Sequence, residues 1–374
     1  MRIIYHISIV FVILFLPMIA FGLEKIDSMN LNVNPNTEKK GFFKRLGNSL
    51  YNVVKSFNNI DTAYIEPQHY NYTVMLQNTT TYDVYRIKDK QGQSMVFAPN
   101  PSIKLGPYVG WRWIFLGYAV DFTHMHSDAK QEFDLSLYSS TIGIDLFFRQ
   151  TGDNYKVRSA DFGKSIDTRP LIGLSFSGLS VSTRGFNLYY ISNHKRFSYP
   201  AAFNQSTCQK LSCGSPIFGI GYTHHSLSLD YAKLSDFLSI NLPTDNIEMD
   251  SSLTFNKIKY ADYTLYGGYA YNWVLARNLL FASSFCVGLA YSSSRGDVEK
   301  KTHSFRDFSF DNINLNGLGR FGMVWNNTRW YAGWSAIVHG YTYRKRRRFS
   351  TNNVFGYFNF YIGYNFGKKK GYKK

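Results

Sequence analysis

Two histidine clusters are the residues best suited to chemistry. In His124-Met125-His126 both imidazoles would share one strand face, because side chains two apart point the same way. That is two ligands of a metal site, and no third lies at a suitable spacing. His224-His225-Ser226 sets imidazoles beside a hydroxyl. A serine hydrolase built on a barrel needs serine, histidine and an orienting polar group close in space. With nine histidines and many serines, such adjacency arises cheaply, and interfacial histidine is the plainer reading. No catalytic residue, metal site or cofactor is assigned.

Lone charges are a second candidate. Lys104, Asp121, Asp145, Asp262 and Arg320 all sit opposite the large apolar side chains of their segments, with Thr264 near Asp262. Buried charge is costly unless paired. Opposite signs would pair across a narrow interior, or line an aqueous path in a wider one. Arg344-Lys345-Arg346-Arg347-Arg348 is a concentrated basic run. It reads as an anion-contacting loop for phosphate or acidic sugar, or as a run that keeps a loop soluble. Cys208 and Cys213, in a polar stretch, could close a small disulfide in an oxidising compartment. Cys286 sits among small residues and reads as a packed side chain.

The elements that must hold these residues are strands. From Val354 to Phe366, one face carries Val354, Phe358, Phe360, Ile362 and Phe366, and the other Tyr357, Asn359, Tyr361, Gly363 and Asn365. At about 3.3 Å per residue this run outlasts an ordinary soluble strand and suits a tilted membrane-spanning one. Leu279, Phe281, Phe285, Val287 and Leu289 oppose Ala282, Ser284, Cys286, Gly288 and Ala290 in the same way. Trp330, Trp334 and Val338 continue the pattern. The poorer faces are rich in Gly, Ala, Ser, Asn and Tyr, which suits a barrel interior better than the solvated face of a sandwich. Short connections at 273–278 and 326–328 alternate with longer polar ones at 292–312 and 344–353. This is the habit of barrels with short turns on the periplasmic side. Between strands, 196–215 lacks clean alternation, and Pro200 cannot donate to a ladder. It reads as an inward-folded or edge segment that partly occludes the interior, or as an irregular loop.

The N-terminus reads as a targeting segment. Arg2, the apolar run Ile3–Ile19 and Ala20-Phe21-Gly22 fit a cleaved signal peptide over 1–22, with an uncleaved anchor as the other reading. Residues 23–60 comprise a polar linker and an amphipathic helix carrying Phe42, Phe43, Leu46, Leu50, Val53, Val54 and Phe57 on one side. A barrel over 61–367 and a basic tail over 368–374 complete the organisation. Aromatic residues make up 18% of the chain, a heavy load for a soluble domain. A net charge of +17 suggests nucleic acid in a cytoplasmic protein. In an exported strand protein, outer-membrane lipid and lipopolysaccharide are the more natural partners.

Several particular segments resemble a known family. They are Arg196-Phe197-Ser198-Tyr199-Pro200-Ala201-Ala202-Phe203-Asn204-Gln205, followed by Gln209-Lys210 and Gly214-Ser215. Asp61-Thr62-Ala63-Tyr64-Ile65, Pro99-Asn100 before Ile103-Lys104-Leu105-Gly106, and Phe360-Tyr361-Ile362-Gly363-Tyr364-Asn365-Phe366 belong with them. Together they resemble a domain-of-unknown-function family of secreted, outer-membrane-barrel proteins of Bacteroides-type Gram-negative bacteria. The resemblance covers roughly 60–366 and implies location and architecture, without catalytic residues. The expected fold is all-β: an antiparallel transmembrane barrel of about 12 strands, within a range of about 10 to 14, after a short N-terminal helix. The expected role is structural or small-solute transport. Surface binding of lipopolysaccharide or glycan is the alternative, and a barrel-embedded lipid-modifying enzyme the third.

Overall fold

A computed structural model describes residues 60–111, 114–117, 120–121, 131–151, 155–163, 166–242, 257–296, 312–345 and 349–372. All of them belong to one compact unit, Lys55–Lys374. The expected signal peptide, linker and amphipathic helix, His124 and His126, Arg346 to Arg348, and Lys373 and Lys374 lie outside the described residues.

The chain is a succession of strands. β1 (Ile65–Pro67), β2 (Tyr70–Asp89), β3 (Ser94–Ala98), β4 (Ser102–Trp111), β5 (Ile114–Gly117) and β6 (Val120–Asp121) come first. β7 (Gln131–Tyr138), β8 (Ile142–Thr151), β9 (Tyr155–Asp161), β10 (Ser175–Phe176) and β11 (Leu179–Ile191) follow. A short helix α1 (Tyr199–Phe203) and β12 (Thr207–Gln209) lead into β13 (Cys213–Leu229). Helix α2 (Tyr231–Asn241) precedes β14 (Lys257–Ala276), β15 (Leu279–Gly296), β16 (Ile313–Asn326), β17 (Trp330–Lys345) and β18 (Phe349–Lys368). No helix among the described residues is long and apolar enough to cross a membrane.

Nearly all of these strands join one antiparallel sheet. Its ladder runs β7–β8–β11–β13–β14–β15–β16–β17–β18–β2–β4, and β4 pairs in turn with β5 and β6. The far end of β2 pairs instead with β3, which carries β9 and β10 beyond it. No ladder among the described residues joins β7 to β5 or β6. Side chains bridge the gap: Lys104 Nζ and Thr81 Oγ1 each donate to Glu132 Oε2 at 3.0 Å, and Arg149 Nη1 donates to the Tyr82 carbonyl at 3.3 Å. The sheet is therefore rolled until its two edges share side-chain contacts.

Connections alternate in length. At one end Trp111 pairs Ile114, Tyr138 pairs Gly143 and Ala276 pairs Leu279, each across a tight turn. Asn326 pairs Tyr331 there too, and the 192–212 segment is the long exception. The long connections, including those holding β9, β10 and α2, gather at the other end. Two expected loops are shorter than their sequences suggested. β15 continues to Gly296, and β17 and β18 stay paired up to Arg344↔Ser350 and Lys345↔Phe349. Arg344 and Lys345 are thus strand residues, because a ladder satisfies their backbone groups while the outward Arg344 side chain remains in water.

Side chains alternate between buried and exposed along most of each strand. Tyr263, Leu265 and Tyr269 of β14 are exposed, while Asp262, Thr264 and Tyr266 are buried. Interior tyrosines lie flat over glycines directly across the ladder. A Cβ on Gly143 would sit 2.0 Å from the Tyr189 ring, and one on Gly363 would sit 2.1 Å from Tyr331. We expect Gly363→Ala to lower the unfolding free energy in detergent by about 1–3 kcal/mol, the usual cost of forcing an extra methyl into a filled interior. An unchanged urea midpoint would show that the Tyr331 ring moves aside freely.

Candidate functional site

The interior holds an inward-folded segment, a charged layer and an apolar core, and this filling is the feature most open to functional reading. At the short-turn end, the 192–212 segment folds inward. Ser198 caps α1 by accepting from the Ala201 amide at 3.3 Å, and Pro200 sits in the first turn, where no amide donor is needed. Small side chains at Ala201 and Ala202 let this short helix approach the wall closely, and both are buried. β12 then pairs with β1, giving a two-stranded ribbon across the opening.

Polar side chains lock this segment to the wall. Tyr199 OH donates to Ser284 Oγ at 2.5 Å. Gln205 Nε2 donates to Tyr361 OH at 2.8 Å. Gln209 Oε1 accepts from the Ser198 amide at 3.0 Å and from Asn272 Nδ2 at 3.1 Å. Of the two readings of 196–215, the inward-folded one is therefore correct. Beside the segment a cleft of about 630 Å³ opens, lined by Glu66, Lys210, Arg277 and Arg329 among others.

The disulfide expected between Cys208 and Cys213 is absent, and both thiols are free. They belong to different elements. Cys208 lies in the ribbon strand β12, with its thiol toward the Asn326 carbonyl at 3.7 Å. Cys213 begins β13 and accepts from Asn193 Nδ2 at 3.2 Å. Burial pushes the Cys208 thiol up to about 12.

Deeper inside lies a charged layer. Arg320 is fully buried. Its Nη2 donates to Asp145 Oδ2 and, at 2.7 Å, to Tyr189 OH. The guanidinium also lies 4.4 Å from the Tyr189 ring centre and 5.8 Å from that of Tyr199. Asp145 accepts a further bond from Ser136 Oγ at 2.6 Å. One cation thus links β16 through Asp145 to β8 and through Tyr199 to the inward segment.

Of the five charges expected in the interior, Asp145, Asp262 and Arg320 are buried, and Lys104 and Asp121 are half-buried. Asp145 and Arg320 meet directly. Lys104 stands opposite Asp121 in the ladder and binds Glu132. Asp262 meets no lysine or arginine among the described contacts. It accepts from Ser292 Oγ at 2.5 Å, and His225 Nε2 lies 3.8 Å from its other oxygen. The sequence reading missed the Arg149–Asp134 pair at 2.8 Å and the role of Glu132. Signals for both existed. Asp145, Phe147 and Arg149 share a face, and Phe133, Leu135 and Leu137 alternate with Glu132, Asp134 and Ser136.

No hydrolase arrangement forms at His224-His225-Ser226. His225 points inward and Ser226 outward, as strand geometry demands of neighbours. The buried Ser292 hydroxyl is bound to Asp262 and has no described bond to His225. Beyond this layer, at the long-loop end, the interior closes with an apolar core that includes Tyr85, Phe97, Tyr155, Leu227, Leu234 and Leu238. Helix α2 contributes the last two, its start capped by Asp230 accepting from the Lys233 amide at 3.1 Å.

The outer wall is the reverse of the interior. Leu265 is 69% exposed, Phe285 and Leu289 60%, and Val109 56%. Exposed aromatic residues Tyr72, Trp111, Trp273, Trp330 and Phe366 ring the short-turn end. Toward the other end, the rings of Phe186, Tyr222 and Tyr263 lie side by side on three neighbouring strands, with centroids 6.2 and 5.4 Å apart. Tyr263 and Trp273, on one face of β14, are separated by about 33 Å along a strand rising about 3.3 Å per residue. Tilted by about 40°, that span projects to about 25 Å, the height of the apolar band of a membrane barrel.

Comparison with solved structures finds similarity to outer-membrane proteins at low identity. The outer membrane protease OmpT of Escherichia coli is 7% identical, with 79% of this chain and 97% of that one covered and a TM-score of 0.32. The translocator domain of the autotransporter NalP from Neisseria meningitidis is 10% identical, covering 88% and 97% with a TM-score of 0.28. OprG from Pseudomonas aeruginosa is 10% identical, covering 80% and 98% with a TM-score of 0.23. No curated protein matches the sequence. The family model described as a domain of unknown function, DUF4421, matches residues 59–366, the whole rolled sheet with its inward segment. The chain belongs to the DUF4421 family.

Proposed function

We propose that this protein is an outer-membrane β-barrel with an occluded interior, serving as a structural or surface-binding element of the envelope. One observation carries the reading: polar and apolar residues are distributed inside out. Arg320, Asp262 and Asn187 are buried without exposure, while Phe218, Leu265, Phe285 and Leu289 are each more than half exposed on a continuous outer band. In water such a band far exceeds the apolar patches a soluble monomer tolerates. Against hydrocarbon it is the favourable arrangement, and the aromatic rings at its two edges meet the headgroups. The short turns then face the periplasm and the long connections the outside.

The filling favours a closed barrel over small-solute transport. The inward segment, the charged layer and the apolar core occlude successive levels. Full-length protein reconstituted in planar bilayers should give no steady conductance, and it should migrate anomalously on a gel until boiled. A stable single-channel conductance would overturn the closed interior. A folded, monodisperse protein in detergent-free buffer would overturn the membrane reading itself.

A further inference from the structure

Just beyond the Phe186–Tyr222–Tyr263 rings, the outer wall changes character. The next outward positions toward the long-loop end are Arg184, Ser182 and Ser180 on β11, and His224, Ser226 and Ser228 on β13. On β14 they are Ala261, Lys259 and Lys257. The ladder register sets these side by side: Arg184 opposite His224, Ser182 opposite Ser226, Ser226 opposite Lys259, and Ser228 opposite Lys257. Arg184 and Lys259 are exposed, and both are close enough for their charges to act on the His224 ring. These outward positions include no carboxylate. None of the three side chains has a carboxylate within ion-pair distance among the described residues. Asp262, the nearest acid in sequence, points to the interior.

Arg184 and Lys259, with no carboxylate partner among the described residues, stand immediately above an aromatic girdle, at headgroup depth. A zwitterionic headgroup would bring its own cation against them, whereas a phosphomonoester brings only negative charge. Arginine can hold two phosphate oxygens at once, lysine adds a point charge, and serine hydroxyls can donate to the remaining oxygens. The rings of Tyr222 and Tyr263, directly below, present flat apolar surfaces where the sugar and first methylenes of a glycolipid would lie.

We infer that Arg184, His224 and Lys259, with the neighbouring serines, bind the phosphorylated sugar headgroup of an outer-leaflet glycolipid. Arg344 and Lys345 lie on β17, three strands along the sheet from β14. The inference rests on the membrane-barrel reading above.

The test uses full-length protein folded in detergent, with bound lipid counted by native mass spectrometry. Bisphosphorylated lipid A should bind, its dephosphorylated form and phosphatidylcholine at least tenfold more weakly. The double variant Arg184→Gln/Lys259→Gln should lose at least tenfold in lipid A affinity while keeping the anomalous gel migration of a folded barrel. Should that variant not fold, Ser182→Ala/Ser226→Ala gives a milder loss of the same kind. Equal affinity of either folded variant and the parent would overturn the site, as would indifference to the phosphates. Inorganic pyrophosphate competing as well as lipid A would make it a free-anion site and overturn the lipid assignment. A parent protein that neither migrates anomalously nor enters phosphatidylcholine vesicles would overturn the barrel reading itself, a result distinct from insertion without lipid A preference.

Discussion

Arg320→Ala should destabilise the folded protein by about 3–5 kcal/mol, the cost of leaving one member of a buried ion pair without its partner. The abandoned groups would be the Asp145 carboxylate, the Tyr189 hydroxyl and the faces of two rings. The loss should appear as a lower urea midpoint in detergent and a lower temperature for losing anomalous gel migration. Replacing both partners, as in Arg320→Met/Asp145→Leu, should recover much of it, because two apolar side chains leave no orphaned charge. If the single variant equals the parent, water reaches Asp145 and the interior is not closed. The double variant separates pairing from packing: recovery shows that the loss came from the unpaired carboxylate.

A second large effect is expected on the opposite surface. Phe285→Arg should cost about 2–4 kcal/mol in a bilayer, the usual penalty for a basic residue near the midplane of a lipid-facing wall. Phe285 lies between the two aromatic girdles and is 60% exposed. In a water-soluble protein, the same change at so exposed a position would be nearly neutral. Folding yield into phosphatidylcholine vesicles and the urea midpoint there give the comparison. A neutral result in vesicles would mean that this face does not meet hydrocarbon. Tyr269 stands directly across the ladder from Phe285 and shares the same outward face.

These two substitutions probe the part of the structure that local sequence reveals and the part that it does not. Outward Phe285 and inward Arg320 follow from alternation alone. Lys104, Asp121, Asp145 and Asp262 follow in the same way. What alternation leaves open is the partner. Asp145 and Arg320 are 175 residues apart, and only the rolling of the sheet sets β8 across from β16. β7 escaped the sequence reading because Gln131, Glu132 and Asp134 make its polar face look like a loop, although Phe133, Leu135 and Leu137 keep the strand period. The cysteine spacing suggested a bridge, but Cys208 and Cys213 are placed by separate ladders. The basic run around Arg344 drew attention by its density. The strip at Arg184, His224 and Lys259 was invisible because its members come from three strands.

From the chain of residues alone came the strands that carry a clear alternation, the faces of their side chains and the apolar outer band. These depend on backbone geometry that repeats every two residues and needs no knowledge of neighbours. Tertiary structure alone decided which charges meet, that the segment around Tyr199 folds inward, and which cations gather above the aromatic girdle. Those outcomes depend on contacts between segments far apart in sequence, which exist only once the strands are in register and the sheet is rolled.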